Sequence, residues 1–193
     1  MKIAVFASGN GSNFEAIANQ MRARNNEVEL VFLFCDRKQA FVIERSRQLG
    51  IPSYSFSPAD FTSKTEYEEA ILALLQENQI ELIVLAGYMR LIGSTLLTAY
   101  QQKILNIHPA LLPDFPGLHG IRDAFEAQVN QTGVTIHLVD DGVDTGPIIA
   151  QEAVSIEVGE TLESLESKIH QVEHRLYPIV IQQFIEELEM SKN

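Results

Sequence analysis

Cys35 is the only cysteine among 193 residues, which rules out an intramolecular disulfide and any Cys-rich metal site. No apolar run approaches the roughly 20 residues a membrane span requires. The apolar stretch Ile3 to Ala7 is too short for a signal peptide. A cytoplasmic protein with no membrane partner is the expectation. Cationic residues are scarce, 14 against 26 carboxylates, for a net charge of −12. The densest basic clusters are Met21-Arg-Ala-Arg24 and Arg45-Ser-Arg47, both at helical spacing. Such a field repels polyphosphate, so no nucleic-acid partner is expected. His170 and His174 stand at i,i+4 but lack a third ligand and a His-Glu-x-x-His pattern, so no metal is expected either. Neither repeat, linker nor low-complexity segment interrupts the chain, and its length suits one domain.

What is present alternates between apolar runs and amphipathic segments. Strands are expected at Lys2–Ala7, Glu27–Cys35, Ser53–Phe56 and Glu81–Ala86. Helices are expected between them at Phe14–Arg24, at Phe41–Leu49 closed by Gly50, and at Tyr67–Glu77 behind a capping box at Ser63 and Glu66. Ser94 should cap a short helix to Tyr100. Further on come a strand ending at His108, an irregular loop Leu111–Gly120 and a helix Ile121–Val129. Strands Gly133–Val139 and Pro147–Ile156 precede a helix from Thr161 to about Glu187. In that helix Leu162, Leu165, Ile169, Val172, Leu176 and Ile179 form an apolar stripe, and Pro178 should kink it. The order predicts an α/β fold: a Rossmann-like open sheet of about seven strands, mostly parallel, with helices on both faces and a long C-terminal helix.

Two stretches carry chemistry. Ser8-Gly-Asn-Gly-Ser-Asn13 joins a strand to a helix, the geometry that offers backbone N–H groups to an anion. It reads as a plain tight turn, as a dinucleotide loop with Asp36 as the ribose acid, or as a monophosphate cup lined by Gly11, Ser12 and Asn13, which the short polar side chains at the helix start favour. Phe14 stands where the dinucleotide motif needs its third glycine. The second stretch is Ile104-Leu-Asn-Ile-His-Pro109. Strand alternation puts Asn106 and His108 on one face, and Pro109 ends the strand. Asp144, in the turn Asp140–Gly146, is the candidate third group, because a carboxylate beside an imidazole favours its charged form. An amide and a charged imidazole are donors suited to an oxyanion at a carbonyl carbon. With no serine elbow and Cys35 in an apolar strand, direct attack of one substrate on another is expected. The apolar loop Gly87–Gly93 either packs under the next helix or forms a slot for a flat ligand. His137 reads as a structural strand histidine.

Asn106-Ile-His-Pro-Ala-Leu-Leu-Pro113 resembles the signature Asn-x-His-Pro-Ser-Leu-Leu-Pro of formyltransferases that use 10-formyltetrahydrofolate, with Ala110 in place of serine. Ser8–Asn13, Gly87-Tyr-Met-Arg90, Phe115-Pro-Gly117, Val134–His137 and Asp144-Thr-Gly-Pro147 resemble the members acting on glycinamide ribonucleotide, in order along essentially the whole chain. The resemblance implies formyl transfer from 10-formyltetrahydrofolate to the amine of glycinamide ribonucleotide, without a metal, by a monomer or weak homodimer. It implies Asn106, His108 and Asp144 as the catalytic set. Gly11, Ser12 and Asn13 would hold the substrate phosphate, with Glu173 and His170 near the rest of that substrate. Lys64, Met89, Arg90, Leu91, Ile92, Asn106, Val139, Asp140, Asp141, Gly142, Val143 and Asp144 would hold the folate. It divides a single domain into a phosphate-binding half, about 1–100, and a catalytic and folate-binding half, about 101–193. Lys64 stands where the family commonly has arginine. Relatives acting on methionyl-tRNA should carry an added basic C-terminal domain, and folate-hydrolysing relatives an N-terminal one. Here the chain ends with its first core, and Lys2 already begins the first strand.

Overall fold

The apolar runs fold as strands whose side chains are withdrawn from water on both faces. In the computed structural model, which describes residues 1–23 and 28–191, β1 (Lys2–Ala7) is fully buried from Ile3 to Ala7. β2 (Glu29–Cys35) and β4 (Leu82–Leu85) flank it, both parallel to it, and β3 (Ser53–Ser55) pairs parallel with β2. The expected helix end at Arg24 and strand start at Glu27 lie outside the described residues. Beyond β4 the order continues through β5 (Ile104–His108) and β6 (Gln131–Leu138) to β7 (Ile148–Ser155), giving β3-β2-β1-β4-β5-β6-β7. β7 runs antiparallel to β6. The result is the mostly parallel open sheet read from the sequence. Two compact units divide the chain, Met1–Leu105 and Asn106–Asn193.

In the first unit, helices α1 (Ser12–Ala23), α2 (Phe41–Gln48), α3 (Lys64–Glu77) and α4 (Ser94–Ala99) connect the strands. α1 starts at Ser12, two residues before the expected Phe14, because Glu15 N–H already bonds Gly11 carbonyl at 3.0 Å. α2 stops as expected at Gly50, which takes φ +63°. The expected capping box is half formed. Ser63 Oγ accepts the Glu66 amide, but the Glu66 carboxylate turns to the amide and hydroxyl of Thr62. Gly93, not Ser94, is the N-cap of α4. The core here is aromatic: Phe34 packs on Phe6, Phe56, Tyr67 and Tyr88 with ring centroids 4.9 to 6.3 Å apart.

In the second unit, α5 (Gly120–Glu126) ends three residues short of the expected Val129. α6 (Leu162–Met190) is capped by the Thr161 hydroxyl and carries Pro178 internally. Its buried stripe differs from the one read in the sequence. Leu165 and Ile169 are buried, but Val172 and Leu176 are half-buried and Ile179 is exposed. Glu173, Tyr177, Val180, Ile181 and Phe184 continue the buried face instead. A stripe traced only through aliphatic residues drifts off the helix's inward face, because it skips a carboxylate and a tyrosine that are buried.

Candidate active site

Asn106, His108 and Asp144 converge within the second unit. β5 ends at His108, as Pro109 requires, and the ring is 3% exposed. His108 Nε2 donates to the carbonyl of Phe115 at 2.7 Å. A carbonyl only accepts, so Nε2 carries a proton, and Nδ1 faces Asp144 Oδ2 at 3.4 Å. Asp144 Oδ2 also accepts the amide of Gly117 at 2.8 Å. Asp144 and Phe115 both sit at positive φ, +54° and +52°. Asp tolerates that region, whereas for Phe it is a true outlier held by its surroundings. The two residues gripping His108 are thus fixed in conformations the chain does not choose locally.

A fourth group joins them. His137 Nδ1 donates to the carbonyl of Leu138 at 2.9 Å, which leaves Nε2 of the neutral ring as an acceptor. Asn106 Nδ2 donates to it at 3.1 Å and reaches toward Asp144 Oδ1 at 3.5 Å. His137 Nε2 is itself 3.5 Å from Asp144 Oδ1. Burial pushes the Asp144 carboxyl up. The hydrogen bond that His137 Nε2 donates when that ring is charged, the Gly117 amide and the positive charge of the two neighbouring imidazoles outweigh it and hold the carboxyl below its usual range. His137, read from the sequence as a structural strand histidine, thus stands against both Asn106 and Asp144. Its signal was present: it shares a strand face with Thr135, whose hydroxyl also serves the segment after His108.

That service is extensive. Thr135 Oγ1 donates to the Ala110 carbonyl at 2.7 Å and accepts from the Leu112 amide at 3.0 Å and from Gln151 Nε2 at 2.9 Å. The hydroxyl and the Gln151 amide, which also bonds the Leu112 carbonyl, tie down the chain that leaves β5. The acidic turn is self-capped. Asp140 Oδ1 accepts from the Gly142 amide at 3.1 Å and the Thr145 hydroxyl at 2.7 Å, while Asp141 and Val143 are exposed and Val139 is half-buried. On α6, Glu173 is buried and His170 exposed, its ring stacked on His174 with centroids 6.3 Å apart.

In the first unit, Gly11, Ser12 and Asn13 are half-buried at the start of α1, a helix end of the kind whose amides suit an anion. α2 shapes this loop. The Val42 amide bonds the Gly9 carbonyl at 3.0 Å, and Arg45 bonds the Asn10 carbonyl and Asn10 Oδ1, both at 2.9 Å. Arg45 also pairs with Glu15. In the loop after β4, Met89, Arg90 and Leu91 are exposed and Ile92 is buried. Arg90 Nε bonds Asp36 Oδ2 at 2.6 Å, so Asp36 is a buried partner within the chain. Lys64 is exposed at the first turn of α3.

Residues 1–181 match the formyl transferase family. The phosphoribosylglycinamide formyltransferase of Bacillus subtilis is 53% identical to this chain over 184 residues, 95% of this chain and 94% of its own. The crystal structure of phosphoribosylglycinamide formyltransferase from Bacillus halodurans superposes with a TM-score of 0.92 at 52% identity, covering 96% of this chain and 95% of that one. The corresponding structure from Streptococcus pneumoniae gives 0.90 at 52% identity, with 95% and 98% covered. A match over most of the chain, with a relative sharing more than half its residues nearly end to end, makes this protein a member of the formyl transferase family.

Proposed function

We propose that this chain transfers the formyl group of 10-formyltetrahydrofolate to the amine of glycinamide ribonucleotide, a step of purine biosynthesis. Its relatives named phosphoribosylglycinamide formyltransferase support the pair of substrates. The observation that carries the chemistry is the convergence of Asn106 and His108 on Asp144.

The donor supplies an activated formyl carbon. The acceptor amine forms a C–N bond to that carbon, and the carbonyl electron pair moves to oxygen. Asn106 and His108 meet this oxyanion. Their contacts to Asp144, at 3.5 and 3.4 Å, are long for hydrogen bonds, so both donors can turn to substrate. Each such donor is worth roughly 3–4 kcal/mol in the transition state. The oxyanion collapses and the bond to the folate nitrogen breaks; His108 Nδ1–H delivers the proton that nitrogen needs, and the proton shed by the attacking amine nitrogen restores the imidazolium. Asp144, still anchored by the Gly117 amide, offsets the imidazolium charge. His137 sets the Asn106 amide by accepting one of its N–H groups.

The remaining roles follow the same reading. Gly11, Ser12 and Asn13 receive the ribose phosphate, and Glu173 with His170 serves the rest of the acceptor. The exposed apolar side chains of Met89 and Leu91 suit a flat ring, with Arg90, Ile92 and residues 139–144 completing the folate contacts. Lys64 offers its charge to the folate's acidic tail. The enzyme works on small molecules in the cytoplasm, as one domain, and as a monomer or weak homodimer. The test is an assay of folate absorbance with both substrates present. Formyl transfer is expected for the wild type and its near loss in His108→Ala and Asn106→Ala; wild-type rates in either variant overturn the assignment.

A further inference from the structure

Three buried polar side chains outside the catalytic cluster converge on one short loop. Gly87–Gly93 follows β4 with no regular structure of its own. Ser8, 1% exposed, bonds it twice: its amide donates to the Gly87 carbonyl at 3.0 Å, and its hydroxyl accepts the Met89 amide at 2.9 Å. Asp36, 2% exposed, takes Arg90 Nε at 2.6 Å. Glu68 on α3, 3% exposed, accepts the Gly93 amide at 2.6 Å. That approach is so close that a Cβ at Gly93 would lie 2.7 Å from Glu68 Oε2. Between these ties, Tyr88 and Ile92 turn inward, and the Tyr88 hydroxyl meets that of Tyr67 at 2.8 Å.

Two carboxylates buried under a seven-residue loop are costly. A loop that only had to fill space would do so with apolar side chains, which commonly stabilise as well or better. Asp36 Oδ1 has no hydrogen-bond partner among the described residues, so Arg90 is the main compensation for that buried charge. What the ties specify is conformation. They hold main-chain atoms at both ends of the loop and leave Met89 and Leu91, 49% and 62% exposed, as an apolar surface.

We propose that Ser8, Asp36 and Glu68 are positioning residues for the formyl donor, holding the loop 87–93 in the one shape that its flat heterocycle fits. Arg90 is then a strut whose guanidinium serves Asp36, and the donor meets the loop's main chain and the Met89 and Leu91 side chains. This rests on the formyl-transfer reading above.

The experiment compares Asp36→Ala and Glu68→Leu with Glu68→Gln, which keeps an acceptor for the Gly93 amide. In steady state the first two should raise KM for 10-formyltetrahydrofolate about tenfold, the loss expected for one charge-assisted hydrogen bond. kcat and KM for glycinamide ribonucleotide should stay within about twofold, and Glu68→Gln should remain close to wild type. Hydrogen exchange across 87–93 should quicken in the first two variants. Ser8→Ala, which removes one acceptor only, serves if the carboxylate variants do not fold. An unchanged donor KM overturns the proposal, as does a parallel loss in both KM values, kcat and melting temperature. Binding of a 5,8-dideazafolate by the unaltered protein separates the two claims. Wild-type binding with unaffected variants sinks only the positioning role, whereas absence of wild-type binding sinks the formyl-transfer reading with it.

Discussion

Asp144 Oδ2 lies 3.4 Å from His108 Nδ1 and accepts the Gly117 amide at 2.8 Å, so one carboxylate oxygen ties β5 to the loop after it. Asp144→Asn keeps the shape and removes the charge. With no carboxylate to offset an imidazolium, kcat should fall by about a hundredfold or more. Both KM values should change by less than about threefold, because the charge matters most where charge develops. Steady-state kinetics check this; a kcat within a few-fold of wild type would remove Asp144 from the mechanism.

The same carboxylate shapes acid stability. Its pKa in the folded chain lies below its ordinary 3.8. The unfolded chain therefore takes up this proton first as pH falls. The stabilisation is complete above the unfolded value and is lost as pH drops through the folded one, below about pH 4. Urea unfolding from pH 5 downward should give a steeper loss of stability in wild type than in Asp144→Asn. Parallel curves would mean the carboxylate is not held low.

Thr135 lets the contribution of the strap behind His108 be measured directly. Its hydroxyl is fully buried and makes three hydrogen bonds, to Ala110, Leu112 and Gln151. Thr135→Val is nearly isosteric but strands the Leu112 amide and the Ala110 carbonyl. A loss of roughly 1–3 kcal/mol per stranded group is expected in urea unfolding. Thr135→Ser should recover most of it. No loss in the valine variant would mean water takes the hydroxyl's place.

Strands, and the pairing of Asn106 with His108, were legible because period-two alternation, continuous apolar runs and proline are local signals. Asp144 was legible as a carboxylate in a glycine-flanked turn after the His137 strand. What could not be read are the partners supplied by distant chain. Asp36 and Arg90 are 54 residues apart, Ser8 and Met89 are 81, and no periodicity records either pair. His137 looked structural because its alternation gives a face but not what that face meets. The α6 stripe failed for a related reason: burial of Glu173 and Tyr177 depends on what they meet in the folded chain, and an aliphatic pattern steps around both.

Two glycines should separate acceptor binding from chemistry. Gly11 takes φ +80°, and a Cβ there would stand 2.3 Å from Val42 Cγ2. Gly11→Ala adds a left-handed penalty of roughly 1–2 kcal/mol to that collision, so the loop must move. KM for glycinamide ribonucleotide should rise at least about tenfold, since 1.4 kcal/mol is a factor of ten, with donor KM little changed. Gly146 faces a different obstacle: its Cβ would lie 1.8 Å from the Leu138 carbonyl oxygen, which also accepts His137 Nδ1. Gly146→Ala must push that carbonyl or the Asp144 turn, and either disturbs the tautomer that sets Asn106. Its signature should be a kcat lowered by roughly tenfold or more, as for misplaced catalytic donors, with acceptor KM held. Identical profiles in the two variants would mean that each merely loosens the fold, and the division of labour between the α1 loop and the Asp144 turn would fall.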